Sequence, residues 1–294
     1  MDTAARRDPV VSTEWLEAHL NDPAVRIVDA SWHMPDARRD PAAEFESVRI
    51  PGAVFFDIDS IADRTSDLPH MLPSPSEFAA MVGALGIGSA DTVVVYDALG
   101  LFTAPRAWWM FRVFGHKDVF VLDGGLPRWQ AEGRQTESGP APTHEPRPFR
   151  ASFDPTLVRS LTDIRANLET GAEQVVDARA AGRFDGTVPE PRAGLRSGHI
   201  PGALNLPFTD LLDPKTKGLR PAEELANRFA AAGVDLDRPI VTSCGSGVTA
   251  CVLALAMDRM GKPGTAVYDG SWTEWGGRED VPVETGSARS GEKA

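Results

Sequence analysis

Short apolar runs alternate with amphipathic segments along the second half of the chain. EQVVDAR is typical of a buried strand, and PAEELANRFAAAG has the apolar period of an amphipathic helix that ends at Gly233. RPIVTSC then predicts a strand, GVTACVLALAMDRMG a helix, and TAVYDGS a further strand. This alternation predicts an α/β fold with a mostly parallel sheet flanked by helices. Ligands of such sheets gather at the carboxyl ends of the strands, where Cys244 lies.

The chain also repeats itself. Three landmarks recur in the same order at offsets of 148, 150 and 146 residues: IVDA at 27–30 and VVDA at 175–178, RIPGA at 49–53 and HIPGA at 199–203, LDGGLPRW at 122–129 and YDGSWTEW at 268–275. The collinear set predicts two copies of one α/β domain, at residues 8–130 and 156–285. The segment between them, 131–155, is rich in Pro, Gly and charge and is typical of a linker. HIPGA itself predicts a bend before the strand in ALNLPF.

Composition narrows the class of function. The 294 residues include 30 Lys plus Arg against 42 Asp plus Glu, a formal charge of -12, which argues against a nucleic-acid or anionic-membrane partner. Two cysteines, Cys244 and Cys251, form neither a disulfide framework nor a CxxC metal pair, which favours a reducing compartment. No run approaches 18 apolar residues, so we expect a soluble, cytoplasmic protein.

The loop CGSGVTA, which begins at Cys244, has two interpretations. It is either a tight turn with a buried thiol, or an anion-binding loop around a nucleophile. A strand that ends in Cys, followed by glycines and a helix start, directs backbone N–H groups and positive potential at the sulfur and favours its thiolate form. A phosphatase loop would need an arginine at the sixth position after the cysteine, where this chain has Ala250. Cys251, inside the apolar helix, is expected to be structural.

CGSGVTA, the doubled IPGA, VDAR and DGG together resemble the two-domain rhodanese family over about residues 8–285. Within that family the loop is similar to that of the sulfurtransferases that use 3-mercaptopyruvate. The thiosulfate enzymes carry Arg and Lys where this chain has Gly245 and Ser246. Alignment of the two copies places Ala98 opposite Cys244, so the first copy is expected to be catalytically inactive.

The resemblance assigns further site residues. Arg183 and Arg192 would otherwise be interpreted as solvated loop charges, but the family places its substrate-binding arginines at this motif. The loop residues beside Cys244 are expected to bind substrate as well: Gly245, Gly247, Val248 and Thr249.

The resemblance also assigns a proton relay. Asp59 and His70 alone indicate only a solvated carboxylate and a turn histidine, and Ser246 alone a turn residue. By resemblance the three form a Ser-His-Asp relay beside the catalytic Cys244.

The implied activity is sulfur transfer from 3-mercaptopyruvate through a Cys244 persulfide, with release of pyruvate. The expected acceptor is a thiol, such as thioredoxin or a small thiol, or cyanide, and no metal or organic cofactor is required. Two alternatives remain at this point: a thiosulfate:cyanide sulfurtransferase, and a catalytically silent rhodanese-like binding module. Retention of Cys244, Arg183 and Arg192 argues against the silent module.

Overall fold

Each half of the chain folds into a five-stranded parallel sheet flanked by helices, as the sequence predicts. The structure is a computed structural model, and it describes residues 8–287. These residues form two compact units. The first comprises residues up to 64, 72–154 and 213–219, and the second comprises 65–71, 155–212 and the residues from 220 onward.

The first unit has the strand order β1-β5-β4-β2-β3, with every neighbouring pair parallel. Its elements in chain order are β1 (Val10–Val11), α1 (Thr13–Ala18), β2 (Val25–Asp29), α2 (Pro41–Ser47), β3 (Val54–Phe55), α3 (Pro75–Ala84), β4 (Thr92–Tyr96), α4 (Ala104–Val113), β5 (Val119–Leu122) and α5 (Gly125–Ala131).

The second unit repeats this order as β6-β10-β9-β7-β8, again with parallel pairing throughout. Its elements are β6 (Val158–Arg159), α6 (Leu161–Thr170), β7 (Gln174–Asp177), α7 (Ala181–Phe184), β8 (Leu204–Asn205), α8 (Ala222–Ala231), β9 (Ile240–Ser243), α9 (Ala250–Arg259), β10 (Ala266–Tyr268) and α10 (Ser271–Trp275). The predicted strands and helices of this half are therefore confirmed. In both units the central strands are buried, as expected for a parallel sheet covered on both faces.

Local sequence signals fix several helix starts. Ser74 and Ser160 each accept a hydrogen bond from the third backbone amide of the following helix, and an acidic residue at that third position bonds back to the serine amide. These reciprocal capping boxes satisfy amides that a helix start otherwise leaves without an acceptor. Among residues 8–287, no helix combines the length and the apolar character needed to cross a bilayer.

The segment predicted as a linker, 131–155, packs for most of its length on the first unit. The guanidinium of Arg147 contacts the carboxylate of Asp91 at 2.6 Å, and the ring of Phe149 packs edge-on against Phe78 and Phe111. Composition indicated an irregular segment, and these contacts, together with backbone hydrogen bonds such as that from Arg147 to the Gly83 carbonyl, fix it on the core of the first unit. Apart from segment 65–71, the second unit begins at Pro155.

Candidate active site

Cys244 lies immediately after β9, at the head of a loop that leads into α9. The residue is 1% exposed, and Ser246 and Val248 in the same loop are also buried. Gly247 has φ +73°, a left-handed conformation that favours glycine, so the bend depends on this residue type. The loop ends at the start of α9, where the first helical amides have no acceptor within the helix. The cysteine therefore lies at the head of a buried loop that leads into a helix N-terminus.

The YDGSWTEW motif holds this loop in place from the adjacent strand. The amide of Cys244 donates to the Ser271 hydroxyl at 3.2 Å, and the Cys244 carbonyl accepts from the amide of Trp272 at 3.0 Å. Thr273 donates to the Gly245 carbonyl through both its amide, at 2.8 Å, and its hydroxyl, at 2.6 Å. Four hydrogen bonds between this motif and the loop thus fix the backbone geometry around the cysteine.

Ser271 contacts the cysteine loop, and the sequence reasoning did not identify it. It has φ +49°, which is strained for a residue with a side chain, whereas its repeat equivalent Gly125 adopts φ +55° without that cost. The hydroxyl accepts from the Cys244 amide and donates to the Tyr268 carbonyl at 2.8 Å. A serine where the other copy has glycine was the signal in the repeat that could have revealed it.

The first copy shows what such a loop binds. The Asp97 carboxylate, at the carboxyl end of β4, accepts hydrogen bonds from four amides, those of Leu99, Phe102, Thr103 and Ala104, at 2.8–2.9 Å. At the repeat offset of 146, Asp97 corresponds to Ser243, and Ala98 to Cys244. The two loops turn at different glycines, Gly100 and Gly247, but both lead into a helix start. An anion on these amides is therefore part of the fold in the first copy, while the second copy has a cysteine sulfur beside the equivalent position.

A buried ionic network supports Arg183 next to the cysteine loop. Glu190, whose side chain is 2% exposed, accepts from the Arg183 guanidinium at 2.6 and 3.2 Å and from Arg179 at 2.8 Å. An ideal Cβ built on Gly245 would lie 3.1 Å from Nη2 of Arg183. The guanidinium therefore packs directly against the residue that follows Cys244.

Arg179 anchors this network in the core. Its guanidinium bonds the Asp177 carboxylate at 2.7–3.1 Å, donates to the Gly198 carbonyl at 2.8 Å and lies 4.3 Å over the Trp272 ring. Burial lowers the pKa of Arg179, but the charges of Asp177 and Glu190 outweigh it and hold that pKa above its ordinary value. The sequence reasoning quoted VDAR only as a family landmark and did not identify Arg179 or Glu190 as site residues.

The remaining predicted residues divide between the units. Arg192 is partly buried in the second unit, in the same segment between α7 and β8 as Glu190. His70 belongs to segment 65–71, which clusters with the second unit although it comes from the first half of the chain; the residue is buried, with φ +62°. Asp59 belongs to the first unit, where its carboxylate is exposed and accepts from the Trp32 indole at 2.8 Å.

Cys251 lies within α9, fully buried. Its thiol donates to the Gly247 carbonyl at 3.2 Å, so the second cysteine supports the bend of the loop from beneath. The position in the apolar helix agrees with a structural residue.

Comparison with known proteins gives the family. A family model described as the rhodanese-like domain matches residues 12–132 and 160–278. Human 3-mercaptopyruvate sulfurtransferase is 49% identical, over 90% of this chain and 91% of the human protein. The mitochondrial thiosulfate/3-mercaptopyruvate sulfurtransferase 1 of Arabidopsis thaliana is also 49% identical, over 95% of this chain and 78% of the plant protein. The crystal structure of SseA from Escherichia coli, a 3-mercaptopyruvate sulfotransferase, is 43% identical, with a TM-score of 0.83 over 90% of this chain and 99% of SseA. The chain therefore belongs to the rhodanese family and is a sulfurtransferase with two rhodanese-like domains in tandem.

Proposed function

We propose that this sulfurtransferase takes sulfur from 3-mercaptopyruvate, holds it as a persulfide on Cys244, and passes it to a thiol or cyanide while pyruvate is released. The observation that carries the proposal is the placement of Cys244 at a helix-start loop with the Arg183 guanidinium against the next residue. The relatives named for 3-mercaptopyruvate share nearly half of their residues with this chain, which supports the choice of donor.

Arg183 and Arg192 bind the carboxylate and the keto oxygen of the donor. A guanidinium presents several N–H donors in a fixed plane, which suits a planar carboxylate beside a carbonyl. Glu190 uses only one edge of the Arg183 guanidinium, and the side chain of Arg183 is 24% exposed, so N–H groups remain for a substrate. Glu190 is thus a positioning residue, which keeps Arg183 against the loop in the absence of the donor.

The first half-reaction forms the persulfide. The Cys244 thiolate attacks the sulfur of 3-mercaptopyruvate, a sulfur–sulfur bond forms, and the carbon–sulfur bond breaks. Its electron pair stays on carbon, so the leaving group is the enolate of pyruvate, which takes up one proton. Ser246 lies two residues after the nucleophile, and the buried His70 clusters with the same unit, which supports their assignment as the groups that deliver this proton. Gly245, Gly247, Val248 and Thr249 contribute backbone to the loop that stabilises the persulfide.

The second half-reaction returns the thiolate. An acceptor thiolate, from a small thiol or a protein such as thioredoxin, or cyanide, attacks the outer sulfur, and Cys244 leaves as its thiolate. The negative charge of the acceptor returns to Cys244, which is again the thiolate that began the cycle, so no metal or organic cofactor is required. The place of Asp59 in the relay, and the cytoplasmic location, remain predictions from the sequence.

Thiosulfate is the second candidate donor, because the Arabidopsis relative is named for both compounds. Its leaving group, sulfite, needs no proton on carbon, so a thiosulfate reaction does not depend on Ser246 and His70. Thiosulfate is a dianion, however, and this loop has Gly245 and Ser246 where two cations would assist it. We therefore expect a higher kcat/KM for 3-mercaptopyruvate than for thiosulfate.

A pair of cysteine variants tests the covalent step. Cys244→Ser should abolish pyruvate release from 3-mercaptopyruvate, while the matched control Cys251→Ser, at the other buried cysteine, should keep most of it. Mass spectrometry of the enzyme after donor, without acceptor, should show one added sulfur atom on the Cys244 peptide. Full turnover by Cys244→Ser, or sulfur on another residue, would contradict the mechanism.

The proton step is tested separately with both donors. His70→Ala should lower kcat for 3-mercaptopyruvate by roughly 10²–10⁴-fold, the range for general acid–base catalysis, and change thiocyanate formation from thiosulfate far less. An equal loss with both donors would show that His70 acts on the fold or the loop rather than on the proton.

A further inference from the structure

The first unit contains a cavity of about 200 Å³ at the carboxyl ends of β2 and β4. We call it the first-unit cavity; its wall includes Asp29, Ser31, Arg39, Glu44, Ala98 and Leu126. Four of these residues correspond through the repeat to residues around the cysteine loop: Asp29 to Asp177, Ser31 to Arg179, Ala98 to Cys244 and Leu126 to Trp272. The cavity is therefore the first copy's counterpart of the catalytic site.

The second unit shows which group this position accommodates. There the Arg179 guanidinium bonds both oxygens of Asp177 and stacks over Trp272. In the first unit the equivalent residues are Ser31 and Leu126, whose side chains are much smaller than arginine and tryptophan. The first unit thus keeps the carboxylate, at Asp29, but has no guanidinium at Ser31, and the cavity lies beside these two residues.

The Asp29 carboxylate is 2% exposed and lies in the cavity wall. It accepts from the Ser31 amide at 2.9 Å and from the hydroxyls of Ser31 and Tyr96, all neutral donors. Within residues 8–287, no salt bridge reaches this carboxylate. A buried carboxylate with only neutral donors is stabilised strongly by any cation that can reach it.

The charges around the two sites also differ. The helix before each IPGA turn carries Glu44-Phe45 in the first unit and Arg183-Phe184 in the second, with the phenylalanine buried in both. Glu44 forms a two-point ion pair with Arg39, at 2.7 Å for each bond, so this pair adds no net charge. Asp29 remains as the uncompensated charge on the cavity wall. In the second unit Arg179 compensates the equivalent Asp177, so only the first-unit cavity keeps an unpaired carboxylate, which attracts a cation.

We propose that the first-unit cavity binds a small organic cation with planar N–H donors, of the guanidinium class. The ligand places its N–H groups on Asp29, as Arg179 does on Asp177, and its flat face toward Leu126. A guanidinium is small relative to 200 Å³, so the cavity also holds a short substituent on the ligand. The bound guanidinium belongs either to a free small compound or to the arginine side chain of a partner protein, and both present the same N–H groups.

The test titrates methylguanidinium into the full-length, ¹⁵N-labelled protein. We expect the amide signals of Ser31 and Ala98 to shift, and calorimetry to give the dissociation constant. Asp29→Asn should raise that constant by roughly 10–100-fold, the effect of losing a charged hydrogen-bond partner. Asp36→Asn, which removes an exposed carboxylate of the same unit, is the matched control and should leave it unchanged.

A second variant fills the first-unit cavity and keeps the Asp29 carboxylate. Ser31→Arg gives the first unit the residue that the second unit has, so its own guanidinium should occupy the cavity, abolish methylguanidinium binding and raise the melting temperature. Sulfurtransferase turnover of each variant reports whether the fold is intact.

Several results would overturn the proposal. These are the absence of saturable binding, equal affinity in Asp29→Asn, or shifts confined to amides remote from the cavity. Equally tight binding of tetramethylammonium, which has the charge but no N–H donors, would reject the guanidinium class. Binding of N-acetylarginine amide as tightly as methylguanidinium would indicate a partner's arginine side chain, and binding of methylguanidinium alone would indicate a free small molecule.

Discussion

Gly245→Ala is the smallest change that should move Arg183 without touching it. The backbone of Gly245 does not lie in the left-handed region, so alanine is sterically compatible with the main chain. Its Cβ, however, would lie 3.1 Å from Nη2 of Arg183, closer than side chains normally pack, so the guanidinium must shift by a few tenths of an ångström. Glu190 resists that shift, because it holds Nη2 at 2.6 Å and is itself fixed by Arg179.

The size of the effect follows from the bond that is disturbed. A hydrogen bond to a charged group contributes about 1.5–3 kcal/mol, and a displaced guanidinium keeps part of it, so we expect a loss of about 1–2 kcal/mol. This corresponds to a decrease of about 5–30-fold in kcat/KM for 3-mercaptopyruvate. The loss should fall mainly on KM, since Arg183 binds the donor before and during the reaction.

A double-mutant cycle assigns the effect to the arginine. Pyruvate release is measured for wild type, Gly245→Ala, Arg183→Ala and the double variant. If alanine acts through Arg183, it should cost little once that side chain is removed, so the two effects should not add. Additive effects would show that alanine disturbs the cysteine loop itself, and an unchanged KM in Gly245→Ala would refute the proposed contact between Arg183 and the donor.

Substitutions at three further positions test the supporting structure. Asp97→Ala should lower the free energy of unfolding in urea by about 3 kcal/mol or more, because four amides lose their acceptor; a loss below about 1 kcal/mol would contradict this. Ser271→Ala and Ser271→Gly should both lower kcat/KM about fivefold, since the Cys244 amide loses its acceptor. The glycine variant should have a free energy of unfolding about 1 kcal/mol higher than the alanine variant, because glycine relieves the strain of the positive φ. Burial raises the pKa of Asp29 from 3.8 to about 6, so wild type should lose stability relative to Asp29→Asn as pH rises from 4 to 7, by about 2 kcal/mol in urea melts; a constant difference would refute this.

The strand and helix order could be predicted from the chain because it depends on local patterns. Apolar runs such as VVDA and IVTS form buried strands wherever a parallel sheet covers both their faces. The repeat then supports each local prediction a second time. It identifies the fold even where a strand is only two residues long, as in β3 and β8. The position of Cys244 follows from the same logic, since it comes directly after a strand and before a helix.

The support of the site could not be predicted in this way. Arg179, Glu190 and Ser271 are far apart in sequence from one another or from Cys244, and their role depends on which side chains converge at one end of the sheet. The same holds for segment 65–71, which comes from the first half of the chain but packs with the second unit. Local patterns carry no information on such convergence.

The sequence by itself thus determined the two-domain α/β architecture, because apolar periodicity acts over a few residues at a time and the repeat shows the same pattern twice. It predicted Cys244 as the nucleophile from the strand, glycine loop and helix around it, whereas Arg183 and Arg192 were predicted from the resemblance to the rhodanese family. Only the tertiary structure decided that Glu190 holds Arg183 against Gly245, that Asp97 occupies the first copy's loop amides, and that Asp29 keeps a buried carboxylate where the arginine is lost. The physical reason is that a buried charge is stabilised by whichever groups the fold brings within hydrogen-bond distance, and that distance is set by the packing of the whole unit.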